Sequence, residues 1–426
     1  MTQTTRFDLA GRLRRIPDSV VLFVCLNVAN TSNYLYQVIM GRELGKSGYG
    51  LFASVVALVN VVTVSLVALQ TASAKAIASG TEARRPLRRL WDDPLTRATV
   101  QWGLIPTVVF VIAAPFIALF LHGGIGPALV VAAAMIPSGL LAISQGRLQG
   151  MHALHGFAAL AMIVAVLRLV LGPAAVAAHA GVTGAGMAVV VAAALGALWG
   201  LHRSRDAGPV QPADVRRDLG RGALAFVGFW LMVSADIVVA QHFLSTSTAS
   251  QYAVASVMGK AVLWLPTAVA VAVFPRIARD HSAGASTNRL LSQAILLTLG
   301  LSVVGVAGLA VLGRPVITAF FGHTYHPAST FAWEVGLACL PFALSNLLIY
   351  YHLAADGFRL LGAIGVAAVI EFSILAVFHG SVQQVATGLG AGGFTLCLGL
   401  FLLAMFGPAT RRVVPDSAPE PAPTTG

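Results

Sequence analysis

Long apolar runs are the feature that most constrains this sequence. Runs of about 20 residues with few charges recur along the chain, and an α-helix needs about that many apolar residues to cross the hydrocarbon core of a bilayer. The runs do not alternate between polar and apolar residues, as the short strands of a membrane β-barrel would. Charged residues make up 10% of the chain, whereas a soluble domain carries about 25%. We therefore predict an all-α polytopic membrane protein.

The apolar runs predict about twelve spans. They lie near 19–40, 49–72, 99–121, 126–145, 156–178, 182–201, 221–243, 249–275, 290–312, 328–352, 360–379 and 387–406. The longest polar connection divides six spans from six, which indicates two six-helix lobes joined by a linker. The predicted regions are a cytoplasmic segment 1–18, a first lobe 19–201, a linker 202–220, a second lobe 221–406 and a Pro-rich disordered tail 407–426. No small-residue cleavage pattern follows the apolar residues 20–25, so we interpret the first run as a retained helix.

Basic residues predict the orientation of the chain. With the N-terminus inside, the segments on the inner side hold all but five of the 27 basic residues. The five exceptions are Arg42, Lys46, Arg168, Lys260 and Arg314. This distribution between spans argues against nucleic-acid binding, which the net charge of +11 could otherwise suggest. We predict a multi-pass protein of the plasma (inner) membrane with both termini in the cytoplasm.

The two halves of the sequence repeat one pattern. A span ends in a short outer loop, an aromatic–small pair opens the next span, and Ala-Ser-Val follows. The pair is Tyr49-Gly50 in the first half and Tyr252-Ala253 in the second. Both copies run from the inner to the outer side, which predicts a parallel, pseudo-symmetric repeat about an axis along the membrane normal.

The repeated segments resemble a known superfamily. MGRELGKSGYGLFASV, and ADIVVAQHFLSTSTASQYAVAS followed by VAVFPRIARD, are similar to the opening hairpins of the two halves of bacterial oligosaccharide flippases. These flippases belong to the multidrug/oligosaccharidyl-lipid/polysaccharide (MOP) exporter superfamily. The resemblance implies two six-helix lobes around a central cavity, alternating access, and a sugar substrate linked to a polyprenyl pyrophosphate carrier. It also implies that spans 1, 2, 7 and 8 line the cavity.

Charged residues deep in the spans are the first candidates for a functional site, because a charge at the centre of a span costs about 2.5–3.5 kcal/mol on insertion scales. Asp236 and Lys260 are each twelve residues from Thr248, in the loop between their spans, so they lie at similar depth and could meet. They form either a structural ion pair or a cavity site in which Lys260 binds phosphate and Asp236 pairs with it or exchanges a coupling ion.

Polar stripes at helical spacing support a cavity. On span 8, Tyr252, Ser256, Lys260 and Trp264 share one face, which offers aromatic surface and a hydroxyl to sugars and an ammonium to phosphate. On span 1, a similar stripe of amides is either cavity lining or interhelical contact. Its members are Asn30, Asn33 and Gln37.

Four further residues are candidates on weaker grounds. Arg42, at the outer end of span 1, either faces the cavity or contacts lipid headgroups or Glu43. Arg168 has no acid within a helical turn, so it either finds a partner on another helix or faces water, and a phosphate site is one alternative. Glu371 is either an ion-coupling group or a protonated carboxyl in a helix contact, and Asn346 forms a weak polar pair with Tyr350. Acids of the inner segments, including Asp92 and Asp93, are interpreted as solvated loop residues.

No enzyme motif stands out, so we predict a non-enzyme without a metal or cofactor. The predicted function is a flippase that moves a lipid-linked oligosaccharide or polysaccharide unit from the inner to the outer leaflet. An ion-coupled multidrug or small-metabolite exporter is the alternative, followed by a membrane scaffold or a membrane enzyme. The expected partners are membrane lipid, the lipid-linked sugar, a coupling ion (H⁺ or Na⁺) and polysaccharide assembly machinery.

Overall fold

The computed structural model describes residues 18–78, 86–264, 266, 288–354 and 359–406. The predictions for the N-terminal segment 1–17, the tail 407–426 and the Phe-Pro element at 274–275 lie outside the described residues. The described residues form α-helices and short 3-10 turns without a strand, which confirms the predicted fold class.

Twelve α-helices are described. They are α1 (Asp18–Ser65), α2 (Val67–Ala78), α3 (Pro94–Phe120), α4 (Ile125–Gly150), α5 (Leu154–Ala177), α6 (Gly181–Arg203), α7 (Pro212–Phe243), α8 (Thr246–Trp264), α9 (Asn288–Phe321), α10 (Ala332–Ala354), α11 (Arg359–Val377) and α12 (Val382–Phe406). The 3-10 helices are Leu90–Asp92, Arg205–Ala207 and His323–Thr330.

Helix α1 contains two spans joined at Gly45. This glycine has φ 59° and ψ −167°, a conformation that side chains with a Cβ rarely adopt. The chain reverses direction there, as contacts between its two arms show. The hydroxyl of Tyr49 donates to Gln37 Oε1 at 3.4 Å, and the rings of Tyr36 and Phe52 lie 5.9 Å apart. In a straight helix, two residues sixteen positions apart, such as 36 and 52, would be separated by about 24 Å along the axis.

Ten stretches of the described residues are long and apolar enough to cross a membrane. The first, Val28–Ala78, is 51 residues long. Because of the reversal at Gly45, it crosses twice. Helix α8 is not among the ten, because it carries the polar face of the predicted span 8, whose end lies outside the described residues. With α8 as a further span, the described helices agree with the predicted number.

Apolar side chains cover the outer surface of the bundle. On α3, Ile105, Ile112, Phe116 and Leu119 recur at helical spacing and are between 67% and 77% exposed. A soluble protein rarely exposes a contiguous apolar stripe of this kind. These side chains therefore face lipid.

A shared core joins the first six helices to the last six. The largest buried cluster combines Tyr36, Met40 and Phe52 of α1 with Phe229 of α7 and Tyr252 of α8. We call the end of the bundle that carries Gly45, Leu244 and His323 the hairpin end. Tyr49 packs there against the rings of Phe321 and Tyr325. The two halves of the chain thus pack through α1, α7 and α8.

The connection between the halves is shorter than the predicted linker. Helix α6 ends at Arg203 and α7 begins at Pro212, with the turn Arg205–Ala207 between them. The connection packs against the first six helices. Val210 and Val215 belong to a buried cluster with Leu69 of α2 and Leu95 of α3. The predicted lobe boundaries stay a prediction.

Candidate functional site

Asp236 on α7 is the centre of a buried polar cluster with α8. Its Oδ1 lies 2.8 Å from Lys260 Nζ. Its Oδ2 accepts hydrogen bonds from the hydroxyls of Ser256 at 2.7 Å and Tyr252 at 3.1 Å. Asp236, Tyr252 and Ser256 are fully buried, and the Lys260 side chain is 13% exposed. The sequence prediction that the two charges could meet is therefore confirmed.

The polar face of span 8 points at α7. Three of its four residues bind the Asp236 carboxylate, and the fourth, Trp264, packs on Trp230 of α7 with ring centroids 5.1 Å apart. The residues share a face because they are four apart, and that face meets another helix. This geometry matches the structural ion pair that the sequence left as one alternative.

Glu371 on α11 is a second buried carboxyl in the last six helices. It is fully buried, and neither carboxylate oxygen has a hydrogen-bond partner among the described residues. It packs against Gly392 of α12, where any Cβ would collide with Glu371 Oε2. The close approach of α11 and α12 therefore requires a glycine at 392.

The two predicted repeat hairpins meet at the hairpin end. The Ser250 hydroxyl donates to Lys46 O at 2.7 Å and accepts from Gly50 N at 2.9 Å. Ser54 Oγ donates to Ile237 O at 3.2 Å. These contacts join residues about 200 positions apart and close this end of the bundle between the halves.

Arg42 takes part in the same closure. Its Nε donates to Phe320 O at 2.6 Å and its Nη2 to Ala319 O, at the last turn of α9. A cation is stabilised there by the free carbonyls and the negative end of the helix dipole. Nearby, the Tyr325 hydroxyl donates to Gly41 O at 2.9 Å.

Arg168 of α5 lies apart from Lys260 and Arg42. Its Nη1 donates to Asn33 Oδ1 of α1 at 3.1 Å. The contact is possible because Tyr36, one turn after Asn33, packs on Gly172, one turn after Arg168. Arg168 Nε is buried without a hydrogen-bond partner, and no carboxylate among the described residues pairs with this guanidinium.

Arg168 lines a cavity of about 180 Å³ formed entirely by the first half of the chain. The remaining lining residues come from α1, α2, α4 and α6 and their junctions. They are Thr63, Leu66, Val67, Gln70, Ala134, Ser138, Leu141, Ala142, Gln145, Val189, Val190 and Ala193. Arg168 is the one charged residue in this lining. We call this cavity the Arg168 pocket.

The other predicted cavity residues do not gather at one place. Asn30 is exposed on α1, and Gln37 accepts from Tyr49. Asn346 is buried on α10. Most of the predicted residues fall into three groups, at the Asp236 cluster, the hairpin end and the Arg168 pocket, whereas Asn30, Asn346 and Glu371 belong to none of them.

Sequence reasoning missed a second buried ion pair. Asp93 was interpreted as a solvated loop residue, and this was wrong: its side chain is fully buried and lies 3.1 Å from Arg147 Nη1, which is also fully buried. Asp93 also caps α3, accepting from the backbone N–H of Thr96 and, through its Oδ1, from Val210 N at 2.9 Å.

Arg147 extends this pair into the connection between the halves. Its guanidinium donates to Ser204 O at 3.2 Å and to Gly208 O at 2.8 Å. The buried charges are thus paired and hydrogen-bonded, as burial demands. Residues 204–210 are thereby fixed to the ends of α3 and α4.

Several solved transporter structures share this fold. The lipid II flippase MurJ, in an inward closed conformation, matches with a TM-score of 0.71 and 15% identity, over 91% of this chain and 87% of that chain. An inward-facing multidrug resistance MATE family transporter of the MOP superfamily matches with a TM-score of 0.68 and 16% identity, over 87% and 93%. An outward-facing multidrug resistance MATE family transporter of the MOP superfamily matches with a TM-score of 0.63 and 15% identity, over 91% of this chain and 95% of that chain.

No protein-family model and no curated protein matches the sequence. The identities of the structural matches are low, so they establish the fold. The chain has the fold of the membrane transporters of the MOP superfamily, in which two six-helix repeats are joined. This fold agrees with the resemblance noted in the sequence.

Proposed function

We propose that this protein is a flippase for an amphiphile with a phosphate-bearing head, namely a lipid-linked oligosaccharide or polysaccharide unit on a polyprenyl pyrophosphate carrier. The observation that supports it is the uncompensated positive charge of Arg168 within a span. Among the described residues, Lys260 is already paired with Asp236, whereas Arg168 meets one neutral amide. A partly buried cation without a counter-charge favours an anionic ligand and disfavours the cationic drugs of a multidrug exporter.

The closed hairpin end suggests how transport proceeds. If the hairpin end faces outside, as the basic residues predict, the contacts around Ser250 seal the outer side while the head enters from the cytoplasm. Rocking of the two halves would break these contacts and expose the head to the outer leaflet, while the lipid tail stays in the bilayer. Asp236 and Glu371 are the candidates for coupling this motion to H⁺ or Na⁺.

The structural neighbours include proteins of both kinds, a flippase and multidrug transporters. One is described as a lipid II flippase and others as multidrug transporters. The alternative function, export of a drug or small metabolite, therefore has to be separated by substrate. Contact with polysaccharide assembly machinery belongs to the flippase branch.

Paired transport assays on the purified protein separate the branches. Vesicles containing the protein are loaded with a fluorescent polyprenyl-pyrophosphate sugar, and its movement between leaflets is followed by quenching from outside. A second set follows uptake of a cationic dye under an ion gradient. We expect movement of the lipid-linked sugar above protein-free vesicles and no dye uptake. Dye uptake without sugar movement would support the exporter instead.

A further inference from the structure

The Arg168 pocket combines a cation with neutral polar groups inside the first six helices. Gln70, Ser138 and Gln145 contribute amides and a hydroxyl, and Arg168 contributes the charge. Gln70 is held in place, because its Nε2 donates to Gln149 Oε1 at 3.2 Å. Neutral groups of this kind can donate hydrogen bonds to an anion without repelling it.

Close helix packing builds the wall of the pocket. A Cβ at Gly146 of α4 would collide with the carbonyl oxygen of Gln70 on α2, and one at Gly150 would collide with Ala74 O. The two glycines therefore bring α2 against α4. Helix α1 ends at Ser65 and α2 begins at Val67, so the second span is interrupted at Leu66, which lines the pocket.

The guanidinium of Arg168 has unused donors. It carries five N–H groups, and the described residues engage one of them, through Asn33. Its planar fork suits the oxygens of a phosphate, to which it can donate two parallel hydrogen bonds. Nε is buried without a hydrogen-bond partner among the described residues, so the hydrogen-bonding capacity of this guanidinium is not saturated by the protein there.

The size of the pocket limits its ligand. Its volume of about 180 Å³ is below the range of about 300–1,000 Å³ that is typical of drug-sized ligands. It corresponds to about six waters at about 30 Å³ each. This volume is large enough for a phosphate or pyrophosphate group and too small for an oligosaccharide.

We infer that the Arg168 pocket is a binding site for a phosphate-class anion within the first half of the chain, separate from the Asp236–Lys260 cluster. Where the anion is the carrier's pyrophosphate, this inference rests on the proposed function and locates the pyrophosphate of the head in the first six helices. The same chemistry would accept free inorganic pyrophosphate or an anionic phospholipid headgroup.

Anion binding to the purified full-length protein tests the inference. Inorganic pyrophosphate is titrated calorimetrically into the wild type, Arg168→Gln and the matched control Arg314→Gln. Arg314 is an exposed arginine on α9 and does not line the pocket, so its replacement makes the same charge change outside the site. We expect Arg168→Gln to weaken binding by about tenfold or more, because a charge-assisted hydrogen bond is lost, and Arg314→Gln to bind like the wild type. Equal binding by wild type and Arg168→Gln would overturn the inference.

A second arm identifies the source of the anion. Nanodiscs of neutral phosphatidylcholine are doped with either polyprenyl pyrophosphate or phosphatidylglycerol, and co-purified lipid is quantified for the same variants. Retention of either lipid that depends on Arg168 supports the site and identifies which lipid supplies the anion. If Arg168→Gln retains both lipids as well as the wild type does, and its pyrophosphate titration is unchanged, the result counts against the site.

A charge-conserving variant and the flipping assay keep the outcome interpretable. Arg168→Lys retains the charge and loses the planar fork, so it should bind pyrophosphate more weakly than wild type and more tightly than Arg168→Gln. It also serves as the test variant if Arg168→Gln does not fold, in which case binding equal to wild type would contradict the inference. Pyrophosphate binding by a protein that moves no lipid-linked sugar would support the pocket and reject the proposed function.

Discussion

Lys260 Nζ and Asp236 Oδ1 lie 2.8 Å apart, joining α8 to α7 where both helices contact α1. The hydroxyls of Tyr252 and Ser256 complete the shell of the carboxylate. A buried pair of this kind contributes less to stability than its removal suggests, because each partner left alone is an uncompensated charge.

Replacing one partner of the pair should therefore destabilise the protein more than replacing both partners. Asp236→Asn leaves the ammonium without its carboxylate and is expected to cost about 3–5 kcal/mol, lowering the melting temperature in detergent. The double variant Asp236→Asn/Lys260→Met should recover part of this loss. A double variant that is as unstable as the sum of its single variants would show that the two charges do not interact.

The Asp93–Arg147 pair should hold the connection between the halves. Arg147→Met leaves Asp93 buried and unpaired and is expected to destabilise the protein by about 3–5 kcal/mol. Tryptic cleavage at Arg203 and Arg205 should accelerate, because residues 204–210 lose their anchor.

Arg97→Met is the matched control for this pair. Arg97 is exposed on α3, one turn from Asp93, so its replacement should change stability by less than about 0.5 kcal/mol. Unchanged cleavage in Arg147→Met, in a protein of normal stability, would show that the connection is held by other contacts.

Gly50 should control closure of the hairpin end. A Cβ at this position would lie 2.5 Å from Gln241 Oε1 and 3.1 Å from Ser250 N, so Gly50→Val should push the halves apart there. In a cysteine-free background, a cysteine at the buried position Ser54 should then react faster with a maleimide. Gly362→Val is the control, since an added Cβ at Gly362 meets nothing within 4 Å. Equal labelling rates in both variants would contradict this role.

The orientation predicted from basic residues can be tested by labelling from one side. Ser247 is exposed at the hairpin end and Asp92 is exposed at the opposite end. A membrane-impermeant maleimide added to intact cells should label Ser247→Cys and leave Asp92→Cys unlabelled until the membrane is permeabilised. The reverse pattern would invert the assigned topology and the direction of transport.

The sequence predicted the helical membrane fold because apolar runs and basic segments carry that information locally. It predicted the meeting of Asp236 and Lys260 because each is twelve residues from Thr248, in the predicted loop between their spans. It missed Asp93–Arg147, which are 54 residues apart, since their burial depends on how 204–210 folds beneath α3 and α4. The contact of Arg168 with Asn33 depends likewise on the packing of α5 against α1, which no local pattern reveals.

The most direct test of the account is the rate at which the reconstituted protein moves a polyprenyl-pyrophosphate sugar between leaflets, compared among wild type, Arg168→Gln and Arg314→Gln. We predict that Arg168→Gln is slower by about tenfold or more, because it lacks the cation proposed to bind the pyrophosphate, and that Arg314→Gln matches the wild type. A wild-type protein that moves no lipid-linked sugar, or an Arg168→Gln variant that moves it at the wild-type rate, would contradict the account.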